Sequence, residues 1–233
     1  RYAEMPGQII IVSGPSGAGK STTCQTFVKR SREMYLLFGI DLLFGSMTPA
    51  KFSAFGEHAN EGRYYHPFPN VGDQSLTRLS FGPAGWASIV AFHEMIAAAA
   101  KSGSNIIVDH LMITDPPILQ DCIWRLAGLS VIFVGLKPPL EALVQRIQTR
   151  EVKIPAALSE ALQGDGVRKL ARMLQNATPW FYEEDRKVDC YDVTADPTKL
   201  LPDEICHLIE DRLAEGAGTA FDDLRRRYPR SAP

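Results

Sequence analysis

The sequence lacks the features that mark several classes of protein. It has no apolar run approaching the roughly 18 residues that a membrane-spanning helix needs. Its opening residues also lack the apolar core of a signal peptide. The four cysteines show no C-x-x-C pair and no histidine spacing typical of zinc, so neither a disulfide framework nor a structural metal site is predicted. We therefore expect reduced thiols, a cytoplasmic location and no membrane partner.

The sequence also has little net charge. Twenty-five basic residues oppose 27 acidic ones, which gives a formal net charge of −2. A balance this close indicates neither nucleic acid nor an anionic surface as a partner. The 233 residues, of which 45% are hydrophobic, suffice for a single α/β domain spanning residues 1–233, and two full domains would be cramped. No oligomeric state is indicated.

One stretch near the start carries the strongest signal. Residues 14–21, Gly14-Pro15-Ser16-Gly17-Ala18-Gly19-Lys20-Ser21, match the phosphate-binding pattern G-x-x-x-x-G-K-[ST] at every fixed position. The apolar run Gln8 to Ser13 predicts a buried strand before the motif, and Thr22 to Arg30 predicts a helix after it. This strand and helix are the context that the motif requires, so we predict a nucleoside triphosphate site.

The residue types of this loop match the chemistry of phosphate binding. Glycines let backbone N–H groups turn toward phosphate oxygens, and the helix N-terminus adds partial positive charge. Lys20 would reach the β- and γ-phosphates, and the Ser21 hydroxyl would ligate magnesium. The predicted cofactors are therefore ATP and Mg²⁺. The predicted nucleotide-binding residues are Gly14, Pro15, Ser16, Gly17, Ala18, Gly19, Lys20, Ser21 and Thr22.

Strand and helix patterns alternate along the rest of the chain. Further strands are predicted at Tyr35 to Ile40, Asn105 to Asp109, Ser130 to Leu136 and Val188 to Val193. Helices are predicted at Trp86 to Lys101, Asp115 to Ala127, Pro138 to about Arg150, Val167 to Glu184 with an interruption near Pro179, and Pro202 to Ala214. This alternation predicts a three-layer α/β fold with a mainly parallel five-stranded sheet, whose ligand crevice lies at the carboxyl ends of the strands.

Three segments depart from this alternation. Residues 47–85 are rich in glycine, proline and aromatics and contain a hairpin pattern, so we predict an acceptor-side flap there. Residues 151–167 are predicted to form a lid, and the charged tail 216–233 could pack on a partner subunit or stay loose. The aromatics of the flap could line an acceptor pocket or anchor the hairpin: Phe52, Phe55, Tyr64, Tyr65, Phe68 and Phe81.

Two aspartates close predicted strands. Asp41 could orient an acceptor hydroxyl and take its proton, or it could be a helix N-cap, and the residues alone leave these interpretations even. For Asp109 we favour magnesium binding beside Ser21 over a plain turn at the strand end. His110, which follows it, is more typical of a packed residue than of a substrate contact.

Arg146 and Arg150 lie four residues apart and share one face of their predicted helix. Their position just before the candidate lid favours closure on phosphates over solvated surface charge. Lys153 and Arg168 are weaker candidates for the same charge-neutralising role. The segment Asp196-Pro197-Thr198 could contact adenine, although a plain turn explains it equally well.

Together these stretches resemble the chloramphenicol phosphotransferase family of small P-loop kinases. The resemblance rests on the loop at 14–21, Phe38-Gly39-Ile40-Asp41 placed 21 residues after Lys20, Ile106-Ile107-Val108-Asp109, Val131 to Gly135, Arg146-x-x-x-Arg150, and Tyr191-Asp192-Val193 with Asp196. The chain departs from the family at His110, where the family has a second acid. It also has a longer lid and lacks a histidine before the Tyr-Asp segment.

The resemblance implies a kinase-type P-loop fold and an ATP-dependent phosphotransferase. Its acceptor would be a hydroxyl of a small molecule, specifically of an antibiotic, and Asp41 would be the catalytic base. The other implied site residues are Lys20, Arg146 and Arg150 around the phosphates, with Ser21 and Asp109 around magnesium. Two alternatives stay open, namely a zeta-toxin-like kinase acting on a sugar nucleotide and a nucleotide-binding regulator without transfer chemistry.

Overall fold

The computed structural model describes residues 5–71, 74–149 and 165–230. Its strands are β1 (Ile9–Ser13), β2 (Tyr35–Gly39), β3 (Arg63–Val71), β4 (Gln74–Phe81), β5 (Asn105–His110), β6 (Val131–Leu136) and β7 (Val193–Ala195). Its longer helices are α1 (Lys20–Arg30), α2 (Pro83–Lys101), α3 (Ile118–Arg125), α4 (Leu140–Thr149), α5 (Asp165–Arg186), α6 (Pro202–Ala214) and α7 (Ala220–Arg227). Within these ranges, no helix combines the length and the apolar composition that a bilayer crossing demands.

Five strands form a parallel sheet in the order β2-β5-β1-β6-β7. The central strand β1 is buried on both faces, as its unbroken apolar sequence predicts. Ile9 and Ile11 pack with residues of α2, α3 and α7, whereas Ile10 and Val12 pack with residues of α1 and α6. Helices therefore cover both faces of the sheet, and the predicted three-layer α/β fold is confirmed.

The strand order determines which loops meet at the carboxyl edge of the sheet. Strand β5 lies between β1 and β2, with Asp109 paired in register to Val12 on one side and Gly39 on the other. The loop after β1, the turn after β2 and the end of β5 are therefore neighbours. This edge is where a doubly wound sheet places its ligand.

The predicted hairpin is present as the antiparallel pair β3 and β4, separate from the main sheet. Arg63 pairs with Phe81 and Tyr65 with Leu79, so these four side chains share one face. Tyr64, His66, Arg78 and Ser80 share the opposite face. The hairpin rests on α5, where the Thr77 hydroxyl donates to the backbone carbonyl of Met173 at 3.1 Å.

Two sequence predictions on the C-terminal half are wrong in detail. The last strand is Val193–Ala195 rather than Val188 to Val193. The chain bends at Asp192, whose carboxylate accepts hydrogen bonds from the backbone N–H groups of Phe133 and Thr219 at 2.9 and 2.8 Å. The helix predicted to break near Pro179 runs unbroken through it. The burial of the neighbouring Trp180 stabilises the helix and offsets the cost of the backbone hydrogen bond that Pro179 cannot make.

The charged tail folds onto the core in its described part. Phe221 of α7 is buried with its ring 5.2 Å from that of Phe133 in β6. The indole N–H of Trp124 donates to the backbone carbonyl of Tyr228 at 2.8 Å. Residues 216–230 therefore complete one face of the sheet.

Replacing Phe221 with alanine is expected to lower the free energy of unfolding by about 3–5 kcal/mol, because the change leaves a cavity beneath β6. Urea denaturation monitored by circular dichroism measures this effect. Leu208→Ala is the matched control, since Leu208 on α6 is 39% exposed and its loss should cost under about 1 kcal/mol. Equal effects of the two changes would show that α7 does not stabilise the sheet.

Candidate active site

The loop between β1 and α1 is shaped by its glycines. Gly14, Gly17 and Gly19 have positive φ angles of 155°, 82° and 93°, a region that side-chain-bearing residues rarely adopt. A Cβ atom on Gly14 would also lie 2.8 Å from the carbonyl oxygen of Leu136. The local sequence therefore gives a tightly turned loop that ends directly in the first turn of α1.

The N-terminus of α1 offers hydrogen-bond donors to a ligand. In the part of the chain that the structure describes, the backbone N–H groups of Gly19, Lys20 and Ser21 donate to no carbonyl oxygen. The first helical bond runs instead from the Thr23 N–H to the Gly19 carbonyl at 3.0 Å. Free N–H groups and the positive end of a helix dipole favour phosphate oxygens. This loop therefore fits the polyphosphate of a nucleotide.

Lys20, Ser21 and Asp109 meet at one point, as the sequence predicts. The Lys20 ammonium donates to the Pro15 carbonyl at 3.2 Å and lies 3.8 Å from the Asp109 carboxylate. The Ser21 hydroxyl donates to the other carboxylate oxygen of Asp109. Asp109 itself is buried at the end of β5. A hydroxyl and a carboxylate are the hard oxygen ligands that Mg²⁺ prefers, so this pair fits the predicted metal.

Asp41 lies in the short helical turn Ile40–Leu42, directly after β2. The residue that precedes this turn is Gly39, and no side chain caps it, so the interpretation of Asp41 as an N-cap is wrong. Its side chain is exposed at the carboxyl edge of the sheet. Since Gly39 pairs with Asp109, the turn carrying Asp41 begins beside the strand that carries the candidate metal ligand.

Arg63, which the sequence analysis did not single out, begins β3 and feels the charge of Asp41. Its guanidinium carbon lies 4.2 Å from the centre of the Phe44 ring, and the Phe44 ring lies 5.9 Å from that of Phe81. Burial lowers the pKa of Arg63, while the nearby Tyr65 and Asp41 oppose this effect. Burial also raises the pKa of Tyr65. The sequence feature that points to Arg63 is the alternation of β3, which places Arg63 and Tyr65 on one face of the hairpin.

The aromatic group predicted in the flap is divided by the structure. Tyr65 and Phe81 pack against the core on the same hairpin face as Arg63. Tyr64 stacks on His66 on the other face, at 5.8 Å between ring centres. The ring of Phe55 is 49% exposed. Phe52 pairs with His58 at 5.4 Å between ring centres, and the side chain of Phe68 lies outside the described atoms.

Arg146 connects the phosphate loop to the loop after β7. Its guanidinium donates to the carbonyl of Gly17 at 3.1 Å and to the carbonyl of Pro197 at 3.0 Å. Its action on the transferring phosphate stays a prediction. Arg150 lies outside the described residues, as do Lys153 and the candidate lid up to residue 164.

The segment after β7 forms a turn fixed by Asp196, whose carboxylate accepts from the Thr198 N–H and hydroxyl at 2.9 and 2.6 Å. Beside it lies a cavity of about 490 Å³, which the side chains of Tyr182 and Lys137 also line. Burial lowers the pKa of Lys137, whose ammonium donates to the Asp185 carboxylate at 2.7 Å. This cavity adjoins the loop that Arg146 holds against the phosphate loop.

A buried histidine pair lies behind Asp109. The Nδ1 atom of His110 accepts from the Leu111 backbone N–H at 2.8 Å, so its Nε2 carries the proton and donates to His93 at 2.8 Å. His93 in turn donates from Nδ1 to the Asp121 carboxylate at 2.6 Å. The Cys122 thiol is close enough to form a metal-type triad with the two rings. However, each ring nitrogen of the two histidines already has a hydrogen-bond partner in this tautomer. The pair is therefore explained as packed, hydrogen-bonded residues.

Because of the histidine pair, we expect the folded protein to lose stability in acid. Burial lowers the pKa of His93 and lowers that of His110 well below its ordinary value. The unfolded chain therefore binds these protons first, and stability falls as pH drops below about 6.5. Urea midpoints at about pH 7.5 and about pH 5.5 measure the loss. The double variant His93→Gln/His110→Gln should lose less over this interval, and an equal loss in both proteins would contradict the assignment.

Comparison with known proteins agrees with this geometry. The model of the chloramphenicol phosphotransferase-like protein family matches residues 7–214. Among solved structures, the Mycobacterium tuberculosis APS kinase superposes with a TM-score of 0.57 at 15% identity, covering 91% of this chain and 99% of that one. A sugar kinase from Janibacter sp. HTCC2649 gives 0.52 at 16% identity, covering 91% and 96%. No curated protein sequence matches the chain.

Similarity at these identities establishes the fold, which is that of the P-loop kinases. The family match is broader, since it spans the phosphate loop, both strand-end aspartates and the strands through β7. It confirms the resemblance drawn from the sequence. The chain therefore belongs to the chloramphenicol phosphotransferase-like family and is a P-loop small-molecule kinase.

Proposed function

We propose that this protein transfers the γ-phosphate of ATP to a hydroxyl group of a small molecule. One observation carries the proposal, namely the contact of Lys20 and Ser21 with Asp109 at the sheet edge where Asp41 also emerges. Phosphoryl transfer needs three things from a protein: hydrogen-bond donors that bind the phosphates, a metal site, and a group that orients the acceptor. We assign each of these roles to a residue at this edge.

The nucleotide would be bound by the phosphate loop. The N–H groups at the start of α1 and the Lys20 ammonium would hold the β- and γ-phosphates. Ser21 and Asp109 would hold Mg²⁺, which supplies charge neutralisation on the phosphate oxygens. The adenine base of the nucleotide would enter the cavity beside Asp196, because Arg146 holds the loop after β7 against Gly17.

The acceptor would approach from the side of β2 and the hairpin. The exposed carboxylate of Asp41 would orient the hydroxyl and accept its proton as the transfer proceeds. A bond then forms between the acceptor oxygen and the γ-phosphorus, and the bond from that phosphorus to the β–γ bridging oxygen breaks. The products are a phosphate monoester and ADP.

The family points to an antibiotic alcohol as the acceptor, and this is the first class to test. The protein is mixed with ATP, Mg²⁺ and a panel containing chloramphenicol, other hydroxylated antibiotics and hydroxylated metabolites. Mass spectrometry then detects any compound that has gained one phosphoryl group. A phosphorylated alcohol supports the proposal. ATP binding without any phosphorylated product across the panel would favour a regulator without transfer chemistry.

A further inference from the structure

We infer that the acceptor carries a carboxylate in addition to its reacting hydroxyl, and that Arg63 binds this carboxylate beside Asp41. The inference rests on the proposed function, because it concerns the acceptor of the same site. It starts from the Nε–H group of Arg63, which is shielded from solvent and has no hydrogen-bond partner. Among the described residues, no carboxylate lies within ion-pair distance of this guanidinium.

Arg63 is partly buried, and its shielded Nε–H group is costly to leave without an acceptor. Arginine stays charged in proteins, so it cannot relieve the cost by losing its proton. A buried donor without a partner destabilises the fold, and more so when it is charged. An anion that enters beside Arg63 would remove this cost on binding. The site is therefore arranged to favour an anionic acceptor over a neutral one.

The surroundings of Arg63 fix the directions from which an anion would bind it. The Phe44 ring covers one face of the guanidinium at 4.2 Å, which adds a cation–π contact. An aromatic face leaves the edges of the guanidinium plane as the donor directions. A carboxylate can accept from two N–H groups of that edge at once, which is the strongest neutralising geometry for arginine. A neutral amide cannot reproduce it.

The same hairpin provides an internal contrast. Arg78 lies on the opposite face, where its Nε donates to His66 at 2.9 Å and its Nη1 lies 3.6 Å from the Asp115 carboxylate. The fold thus supplies acceptors for Arg78 and none for the Arg63 Nε–H. Among the described residues, Asp41 makes no hydrogen bond or ion pair with Arg63, although its charge opposes the lowering of the Arg63 pKa.

A matched set of acceptors tests the inference. The probes are 4-(hydroxymethyl)benzoate, D-glycerate and D-gluconate, each paired with its primary amide, and chloramphenicol serves as a neutral alcohol. Transfer is measured as kcat/KM for wild type, Arg63→Gln and the matched control Arg78→Gln. Thermal melts and ATP binding report whether each variant is folded. Binding of each probe is also measured by calorimetry with a non-hydrolysable ATP analogue, so that a slow acceptor still gives a readout.

The wild type should prefer at least one acid over its amide by about 10-fold or more, since charge-assisted hydrogen bonds are roughly twice as strong as neutral ones. Arg63→Gln should lose this preference while the amide is little affected, and Arg78→Gln should keep it. An equal loss for acid and amide in Arg63→Gln would make Arg63 a positioning residue for Asp41 and overturn the inference. Amides preferred throughout, or no acid binding, would overturn it too. Phosphorylation of chloramphenicol alone would do so while leaving the proposed function intact, whereas absence of ATP binding would remove that function itself.

Discussion

Asp41→Asn is expected to bind ATP normally and to transfer phosphate about 10²–10⁴-fold more slowly, the range that a general base contributes. Asparagine keeps the size of the side chain but cannot accept the proton of the acceptor hydroxyl. The side chain is exposed and caps no helix, so the change should leave the fold intact. The measurement is a steady-state rate of product formation at saturating ATP, beside an ATP dissociation constant from calorimetry.

Asp203→Asn is the matched control for this change. Asp203 is also exposed, but it lies on α6 and pairs with Arg30 at 2.8 Å, away from the carboxyl edge of the sheet. Its replacement should alter neither constant. A fully active Asp41→Asn enzyme would refute the role of base. If that variant lost ATP binding as well, the role of Asp41 would lie in nucleotide binding instead.

Lys20→Ala is expected to weaken ATP binding and to slow transfer by about 10²–10³-fold at saturating ATP, as the loss of one fixed donor at a developing charge does. The Lys20 ammonium lies between the phosphate loop and Asp109. It is therefore a cation placed beside the predicted position of the transferring group. Both the dissociation constant and the rate should change, which separates this variant from Asp41→Asn.

Lys29→Ala provides the comparison on the same helix, because Lys29 is exposed in the last turn of α1. It should match the wild type in both measurements. A Lys20→Ala protein that binds and transfers normally would mean that the phosphates lie elsewhere. Thermal melts of both variants show whether a lost activity reflects a lost fold.

Much of the site could be predicted because its signals are local. Residues 14, 17 and 19 adopt positive φ angles that only glycine takes up without strain, so a short sequence pattern identifies the loop. The contact between Ser21 and Asp109 followed from a general property of parallel sheets, whose carboxyl ends share an edge. The same reasoning placed Asp41 at that edge, although only the structure removed the N-cap interpretation.

What the sequence did not predict depends on contacts between distant segments. The start of β7 is set by hydrogen bonds from Phe133 and Thr219 to Asp192, which lie 59 and 27 residues away. Pro179 stays within a helix because its neighbours are buried by the rest of the fold. Arg63 became visible only when Phe44 and the hairpin came together. The alternation in β3 places Arg63 on the face of Tyr65, but it does not show that the Arg63 Nε–H lacks a partner.

The central claim is that the terminal phosphate of ATP meets an alcohol between Lys20 and Asp41. Incubation with ATP labelled at the γ-phosphorus, Mg²⁺ and the acceptor panel tests it most directly, with the label followed by chromatography and mass spectrometry. The account predicts label in a phosphate monoester of an alcohol, formed about 10²–10⁴-fold more slowly in the Asp41→Asn reaction. Label recovered only as inorganic phosphate or unreacted ATP, with every alcohol unmodified, would contradict it.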